Sequence, residues 1–593
     1  MSVPIFNGLN PQQKEAVSYA VGSSIILAGA GSGKTRVLIY KVVNLIKNHH
    51  VLPSSIVMIT FTNKAAAEMR ERIEKQIPKE ERLGFIGTFH SFCARLLRID
   101  GEKIGIERNY NIFDESDQLH IIKMILKEKD ISKFTPSYYL NRISSCKNQM
   151  IPPEKFLEIF SDYVAPETFT VYKEYQKELK DNKALDFDDL LIKAIELLTF
   201  NQIVREKYQN KYRFFLVDEF QDTNLVQYQL TKLLADKYKN ITVVGDFSQS
   251  IYSWRGADIG NLEKLQKDFP NCKVFHLETN YRSTQTILDF AYSVITKNRT
   301  HPVLHLKTKN DKGEEILFLE VDNEQDEAIF VAEEIQKLSL LHDPSQIAVL
   351  YRTNAQSRIM EEALLHYGIP YLLVGGTRFY ERKEIKDVLA YLRLLINPQE
   401  KVAKERLQKL GKTRWKNFQE AHGQLAEEQS KFTTEELIEK VFQATKYLEL
   451  YNPKDEEDYN RLENIRELKS VAIRFPNLVD FLEQVALVES EYFENEKKSG
   501  KKDGVRLMTL HQAKGLEFDC VFIAGVEEGI LPHSRSSDDH FQIEEERRLF
   551  YVGITRARQK LYITNARRRF IFGRRNYAMK SRFLMDDDFI QFG

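Results

Sequence analysis

The sequence predicts an α/β protein with two parallel-sheet cores, each interrupted by a mainly helical insertion. Three observations carry this. Short apolar runs alternate with segments of helical periodicity, as in a parallel sheet covered by helices on both faces. The alternation occurs twice along 593 residues, a length that accommodates roughly four domains. Two long, charged stretches of helical spacing, about 108–184 and 386–503, separate the runs.

The elements follow in order. Ile25–Leu27 precedes a Gly-rich loop, and Thr35–Ile46 continues with helical periodicity. Ile56–Thr60 leads into a helix over Ala65–Ile77, and Phe214–Val217 and Ile241–Val244 read as further buried strands. The first insertion is rich in Lys, Glu, Tyr and Ile, with breaks at Pro136, Pro152, Pro153 and Pro166. Strand candidates of a second core are Val274–Leu277, Ile347–Leu350, Val505–Thr509, Val521–Ala524 and Leu561–Thr564. The second insertion closes on a solvated run, Glu494–Asp503. No short-period repeat or low-complexity tract interrupts this order.

Lys+Arg and Asp+Glu both number 86, so the formal net charge is zero. That excludes a global basic footprint, and any nucleic-acid contact must come from local patches. Cys93, Cys146, Cys272 and Cys520 show no CxxC spacing, which argues against zinc and against a disulfide framework. The N-terminus lacks a basic region followed by an apolar core, and no apolar run approaches the ~18 residues of a membrane span. A cytoplasmic protein without a membrane partner is expected.

Five segments carry chemistry. Ala28–Thr35, AGAGSGKT, is a phosphate-binding loop with Ala in place of the first Gly. Gly29, Gly31 and Gly33 let backbone N–H groups face phosphate oxygens at a helix N-terminus. Lys34 would neutralise the β- and γ-phosphates, and Thr35 would ligate Mg²⁺. The strand Phe214–Val217 ends in Asp218 and Glu219, one carboxylate for the metal and one for the attacking water. Read alone, the pair is also compatible with a solvated acidic turn. Gln249, in GDFSQS, carries a carboxamide able to change partner when a γ-phosphate leaves. Tyr252, Trp254 and Arg255 follow it with the chemistry of a base-stacking platform, although Trp254 in isolation reads equally as a core aromatic. Arg282 and Arg556 are guanidinium candidates for transition-state charge, both placed on the second core, with surface ion pairing as the competing reading.

With these residues in view, the chain resembles superfamily 1A DNA helicases of the UvrD/Rep/PcrA type. The matching segments run in family order: LNPQQKEAV (9–17), AGAGSGKTR (28–36), TFTNKAAAEMRERI (60–73), GTFHSF (87–92), VDEFQD (217–222), VGDFSQSIYSWRGA (244–257), LETNYRS (277–283), VLYRTNAQSR (349–358), LMTLHQAKGLEF (507–518) and EEERRLFYVGITRARQKL (544–561). The resemblance implies two RecA-like cores of the P-loop NTPase fold: 1–107 with 185–280, and 281–385 with 504–593. The insertions are 108–184 and a shortened 386–503. It implies ATP and Mg²⁺ as cofactors, with Gln13, Ala28, Gly29, Ala30, Gly31, Ser32, Gly33, Lys34, Thr35, Arg36, Tyr281 and Glu517 binding nucleotide. Thr35 and Asp218 would hold the metal, and Glu219, Lys34, Gln249, Arg282 and Arg556 would be catalytic. Single-stranded DNA would touch Phe61, Asn63, Thr88, His90, Tyr252, Trp254, Arg255, Arg352, Asn354 and His511, and Phe572 would part the duplex.

The implied activity is ATP-dependent 3′→5′ translocation on single-stranded DNA with duplex unwinding, in DNA repair or replication. Single strands and single-strand/duplex junctions are the expected partners, with repair or replication proteins as candidates, and the protein is expected to be a monomer or weak dimer. Two alternatives stand beside it: a translocase that strips bound proteins but unwinds weakly, and a non-enzymatic ATP-dependent switch. The shortened second insertion motivates the first: RLQKLGKTRWKNF (406–418) stands where relatives carry a Gly-Ile-Gly hairpin that grips duplex. No C-terminal extension or nuclease domain like those of some relatives is expected after Gly593. Arg567, Arg568, Arg569, Arg574, Arg575, Lys580 and Arg582 form a late basic cluster suited to DNA backbone or simply to solvent.

Overall fold

The computed structural model describes residues 6–77, 83–131, 133–453, 455–499, 504–571 and 574–584. The chain forms two compact units, Met1–Arg282 with Ile295–Asp311 and Ser283–Val294 with Lys312–Gly593. It therefore passes from one unit to the other three times, the first time directly after Arg282.

The first unit is built on strands β1 (Ser24–Ala28), β2 (Ile56–Ile59) and β3 (Phe85–Gly87), followed by the short β4 (Asn111–Ile112) and β5 (Ala184–Leu185). β6 (Phe214–Val217), β7 (Ile241–Gly245) and β8 (Lys273–Leu277) complete its sheet, and β9 (Thr279–Asn280) and β10 (Lys307–Thr308) pair separately. The main sheet is all parallel in the order β3-β2-β6-β7-β1-β8. β1 and β2 are buried throughout, as uninterrupted apolar runs between two helical layers must be. The helix Lys34–Lys47 buries Val37, Leu38, Val42, Leu45 and Ile46 against one face.

Helices Glu115–Glu128, Pro136–Asn148, Phe156–Ile159 and Ala165–Asp181 make the first insertion, packed around Ile122, Ile143, Phe156 and Tyr175. β4 and β5 pair in parallel at its two ends. There Lys147 is sealed against Asp186 and Asp189 at 2.6 and 2.9 Å.

The second unit holds β11 (Leu317–Asn323), β12 (Ile347–Tyr351), β13 (Tyr371–Leu373), β14 (Val505–Thr509), β15 (Phe518–Ile523), β16 (Ala557–Ile571) and β17 (Arg574–Tyr577). The parallel order is β11-β16-β15-β12-β14-β13, with β17 antiparallel to β16. Among the described residues, six α-helices between Lys383 and Ser499 form its insertion around Leu392, Phe418, Phe442, Tyr447 and Phe481. No helix among the described residues is long and apolar enough to cross a membrane.

Three expectations are corrected. Val274–Leu277 is not a strand of the second core; it lies in β8, the edge strand of the first sheet, paired with β1. Its exposure alternates along KVFHL, as an edge strand with one covered face should. Arg282 belongs to the first unit, not the second. Three members of the late basic cluster are neutralised in place: Arg569 is buried between Glu327 and Glu527 at 2.6 and 2.7 Å, Arg567 pairs with Glu320, and Arg582 pairs with Glu528. Phe572 lies outside the described residues, as does part of the run 494–503, whose first residues continue the helix Leu478–Ser499.

Candidate nucleotide and nucleic-acid sites

Parallel strands deliver their loops to one edge, and the sequence-predicted residues of the first unit gather at the carboxyl ends of β1, β2, β3, β6 and β7. The loop after β1 is held by its carbonyls. Gly29 O accepts from Ser32 Oγ at 2.7 Å, Ala30 O from Asn280 Nδ2 at 2.7 Å, Gly31 O from Tyr281 N at 3.0 Å and Ser32 O from Gln13 Nε2 at 2.9 Å. In a trans peptide the next N–H points opposite each carbonyl, so the Ala30, Gly31 and Gly33 amides turn to the inner side, while Gly29 N–H donates to Leu277 O and Ser32 N–H to Gly29 O, each at 3.3 Å. Gly31 and Gly33 adopt φ of +64° and +83°, and a Cβ on Gly31 would meet Asn280 Nδ2 at 2.7 Å. Gly33 starts the helix Lys34–Lys47 without a side-chain cap. The combination is an anion cradle. At its rim Tyr281 is 45% exposed, its hydroxyl bonded by Asn10 Nδ2 at 2.8 Å, and Arg36 reaches over the Tyr40 ring.

β6 carries Asp218 and Glu219 to the same edge. Lys34 Nζ lies 3.2 Å from Glu219 Oε2. Glu219 adopts φ +51°, a left-handed conformation that costs of order 1–3 kcal/mol in a non-glycine residue and persists only where its surroundings hold it. Gln221 does this holding: its Nε2 donates to Glu219 Oε2 at 2.6 Å and to Asp222 Oδ2 at 3.1 Å, while its Oε1 accepts from Asp246 N at 3.1 Å. Asp246 in turn accepts from Ser248 N at 3.1 Å and from Gln249 Nε2 at 2.7 Å.

Three carboxylates thus surround one ammonium. Burial and the neighbouring Glu219 charge push the Asp218 carboxyl up to about 7, and burial also raises Asp246. Burial alone would lower Lys34, but Glu219, Asp246 and Asp218 outweigh it and hold it above its ordinary value. The Thr35 hydroxyl bonded to Asp218 gives two oxygen donors of the kind a hard divalent cation takes alongside phosphate and water, and no cluster of three or more His, Cys, Asp or Glu among the described residues is arranged to hold a metal by itself.

Aromatic groups line the adjoining strand ends. Trp254 is 51% exposed, which removes the core reading. Its ring lies edge-on to Tyr252 at 6.4 Å, and the Arg255 guanidinium sits 4.5 Å above it. Phe61, past β2, is 38% exposed, and Asn63 opens the helix Asn63–Glu74. Thr88, past β3, caps the helix Phe89–Asp100. His90 stands edge-on to the exposed Phe187 at 5.7 Å, and burial lowers its pKa.

In the second unit Arg352 follows β12 and pairs through Nη2 and Nε with Glu546 at 2.7 and 3.0 Å. Asn354 opens a short helix, and its carbonyl accepts from Arg382. His511 follows β14, half-buried. Glu517 pairs with Arg558. Arg556 is 2% exposed and donates to Val552 O at 2.9 Å, Leu516 O at 3.1 Å and Thr555 Oγ1 at 3.0 Å.

The sequence reading passed over Gln221, Asp246, Asn280 and Phe187. Gln221 and Asp246 stood inside quoted motifs, next to the carboxylates and carboxamide that drew attention. Asn280 acts on a loop 250 positions away, and Phe187 sits in an unexamined LDFDD segment.

Comparison with known proteins matches the same architecture. The model of the UvrD/REP helicase N-terminal domain covers residues 9–270, and that of the UvrD-like helicase C-terminal domain covers 275–414 and 408–568. The chain belongs to the UvrD/Rep helicase family. Similar relatives include the ATP-dependent DNA helicase PcrA of Bacillus subtilis (strain 168), 44% identical over 100% of this chain and 87% of its own length. PcrA of Staphylococcus aureus (strain Mu50) is 42% identical over 98% and 86%. PcrA of Staphylococcus epidermidis is 41% identical over the same shares. Family membership gives the carboxylate cluster and the exposed aromatics a common context.

Proposed function

We propose that the chain is a DNA-dependent ATPase and 3′→5′ DNA helicase, moving along single strands in the cytoplasm and opening duplex at single-strand/duplex junctions during repair or replication. One observation carries the proposal: Lys34, Glu219, Gln221, Asp246 and Gln249 form a single hydrogen-bonded set. It unites a phosphate-seeking cation, a general base and a carboxamide able to sense phosphate.

In this reading the Ala30, Gly31 and Gly33 amides and Lys34 hold the β- and γ-phosphates, and Gln13 and Tyr281 take the edge and face of adenine. Thr35 and Asp218 would hold Mg²⁺, which when bound supplies positive charge to the phosphoryl oxygens. Glu219 orients and deprotonates the attacking water. Arg282 and Arg556 stabilise charge on the transferred phosphoryl group, with Glu517 beside the nucleotide. Gln249 exchanges Asp246 for the γ-phosphate, and the short link to Tyr252 and Trp254 passes that change to the bases. Phe61, Asn63, Thr88, His90 and Arg255, with Arg352, Asn354 and His511 of the second unit, contact the strand. The exposed Phe187 joins His90 there.

The test is ATP turnover with and without single-stranded DNA, run beside unwinding of 3′- and 5′-tailed duplexes. The expected result is strong stimulation and unwinding of the 3′-tailed substrate alone. Stimulation without strand separation would favour the protein-stripping translocase, and turnover indifferent to DNA would favour the ATP-dependent switch.

A further inference from the structure

We infer that His301 is a positioning residue for Gln249, acting through Ser248. His301 Nε2 lies 3.1 Å from Ser248 Oγ, and both side chains are buried. A serine hydroxyl donates or accepts, so either imidazole tautomer makes this bond. Ser248 is the centre of the turn Phe247–Gln249. Its N–H is tied inward to Asp246 Oδ1 at 3.1 Å, and its hydroxyl is tied outward to His301. The turn that carries Gln249 is therefore pinned from two sides. Gln249 itself bonds Asp246 Oδ2, a bond it must release if it is to meet phosphate. A carboxamide that changes partner needs a backbone that stays in place.

The segment bearing His301 supplies a fixed frame. It belongs to 295–311, the stretch that returns to the first unit. Within it Leu306 lies so close to the phosphate loop that a Cβ on Gly29 would meet Leu306 Cδ2 at 2.3 Å. Lys307–Thr308 pairs with Thr279–Asn280, and Thr308 Oγ1 donates to Asn280 O at 3.1 Å. One stretch of chain thus touches the phosphate loop, the asparagine that orients that loop and the Gln249 turn. His301 also lines a cavity of about 360 Å³ together with Ile25, Leu27, Glu263 and Arg299, so truncating the ring enlarges a space that already exists.

The inference rests on the helicase reading, and the experiment separates the two. Wild type, His301→Ala, His301→Gln, Ser248→Ala and the Ser248→Ala/His301→Ala double variant are compared for kcat and KM of DNA-stimulated ATP turnover, affinity for a non-hydrolysable ATP analogue, and melting temperature. Each single alanine variant is expected to lower kcat about tenfold, less than the ~100-fold that a 1 Å misplacement can cost, with KM, analogue affinity and melting temperature nearly unchanged. The double variant should be no slower than the slower single variant, because both remove one interaction. His301→Gln should recover most of the rate. Additive losses, an unaltered kcat, or a loss matched by weaker analogue binding or lower melting temperature would overturn the assignment. Absence of DNA stimulation in the wild type would instead remove the helicase reading.

Discussion

Glu219 concentrates the chemistry at the residue scale. Its backbone is strained, its carboxylate faces Lys34, and Gln221 holds it from the other side. Glu219→Gln keeps size and one acceptor oxygen but removes the base, so turnover should fall by about 10²–10⁴ while nucleotide binding persists; a variant that hydrolyses at the wild-type rate would assign the base elsewhere. Lys34→Ala should abolish turnover and weaken phosphate binding, read as loss of both ATPase and analogue affinity. Lys41, on the same helix, plays a different part. Burial lowers its pKa to about 7 from 10.5, and its ammonium meets no carboxylate in the contacts it makes, donating to Ala16 O and Ser24 Oγ at 3.3 and 3.2 Å and lying 5.6 Å from the Tyr19 ring centre. The unfolded chain binds this proton up to about pH 10.5 and the folded chain only to about pH 7. Below that window the folded state carries the full cost of a buried cation. Across it, stability rises with pH by up to ~1.4 kcal/mol per unit. Lys41→Met should therefore melt above wild type at pH 7.5, and the gap should shrink by pH 9.5. A constant gap would refute the titration.

At the scale of elements, the ends of the first insertion meet in a buried polar knot. Asp186 accepts from Lys147 Nζ at 2.6 Å and from the Tyr175 hydroxyl at 2.9 Å, and its other oxygen caps the helix Phe187–Phe200. Lys147→Met would leave two buried carboxylates without their cation, a change that costs about 3–5 kcal/mol. The expected outcome is a clear drop in melting temperature, and an unchanged value would show that the knot is dispensable. This is also where sequence reading reaches its limit. The strand–loop–helix around Lys34 was legible because its signal is local: an apolar run, glycines needing positive φ, then helical periodicity. β8 was assigned to the wrong sheet because KVFHL says "strand" but not which neighbour it pairs with. Arg569 read as solvent or DNA contact because nothing near it in sequence reveals Glu327, 242 positions away. Local propensity was readable, whereas partner choice is set by tertiary packing.

For the whole molecule, charge decides how DNA binding must behave. With 86 basic and 86 acidic residues, no net attraction steers the polyanion, and Arg567, Arg569 and Arg582, which might have offered a patch, are paired with glutamates. Affinity for single strands should then arise from a few phosphate contacts and from stacking on exposed rings, and the two respond differently to salt. Each neutralised phosphate on a single strand contributes about −0.7 to the slope of log K against log[salt], whereas stacking contributes about 1–3 kcal/mol per base with no counterion release. Trp254→Ala should weaken oligonucleotide binding by that amount and leave the slope unaltered. Arg255→Gln should flatten the slope by about 0.7, because its guanidinium, 4.5 Å above the Trp254 ring, is placed to meet the phosphate of a base lying on the same platform. A slope indifferent to Arg255→Gln would make that arginine a part of the stack and place the phosphate contacts elsewhere.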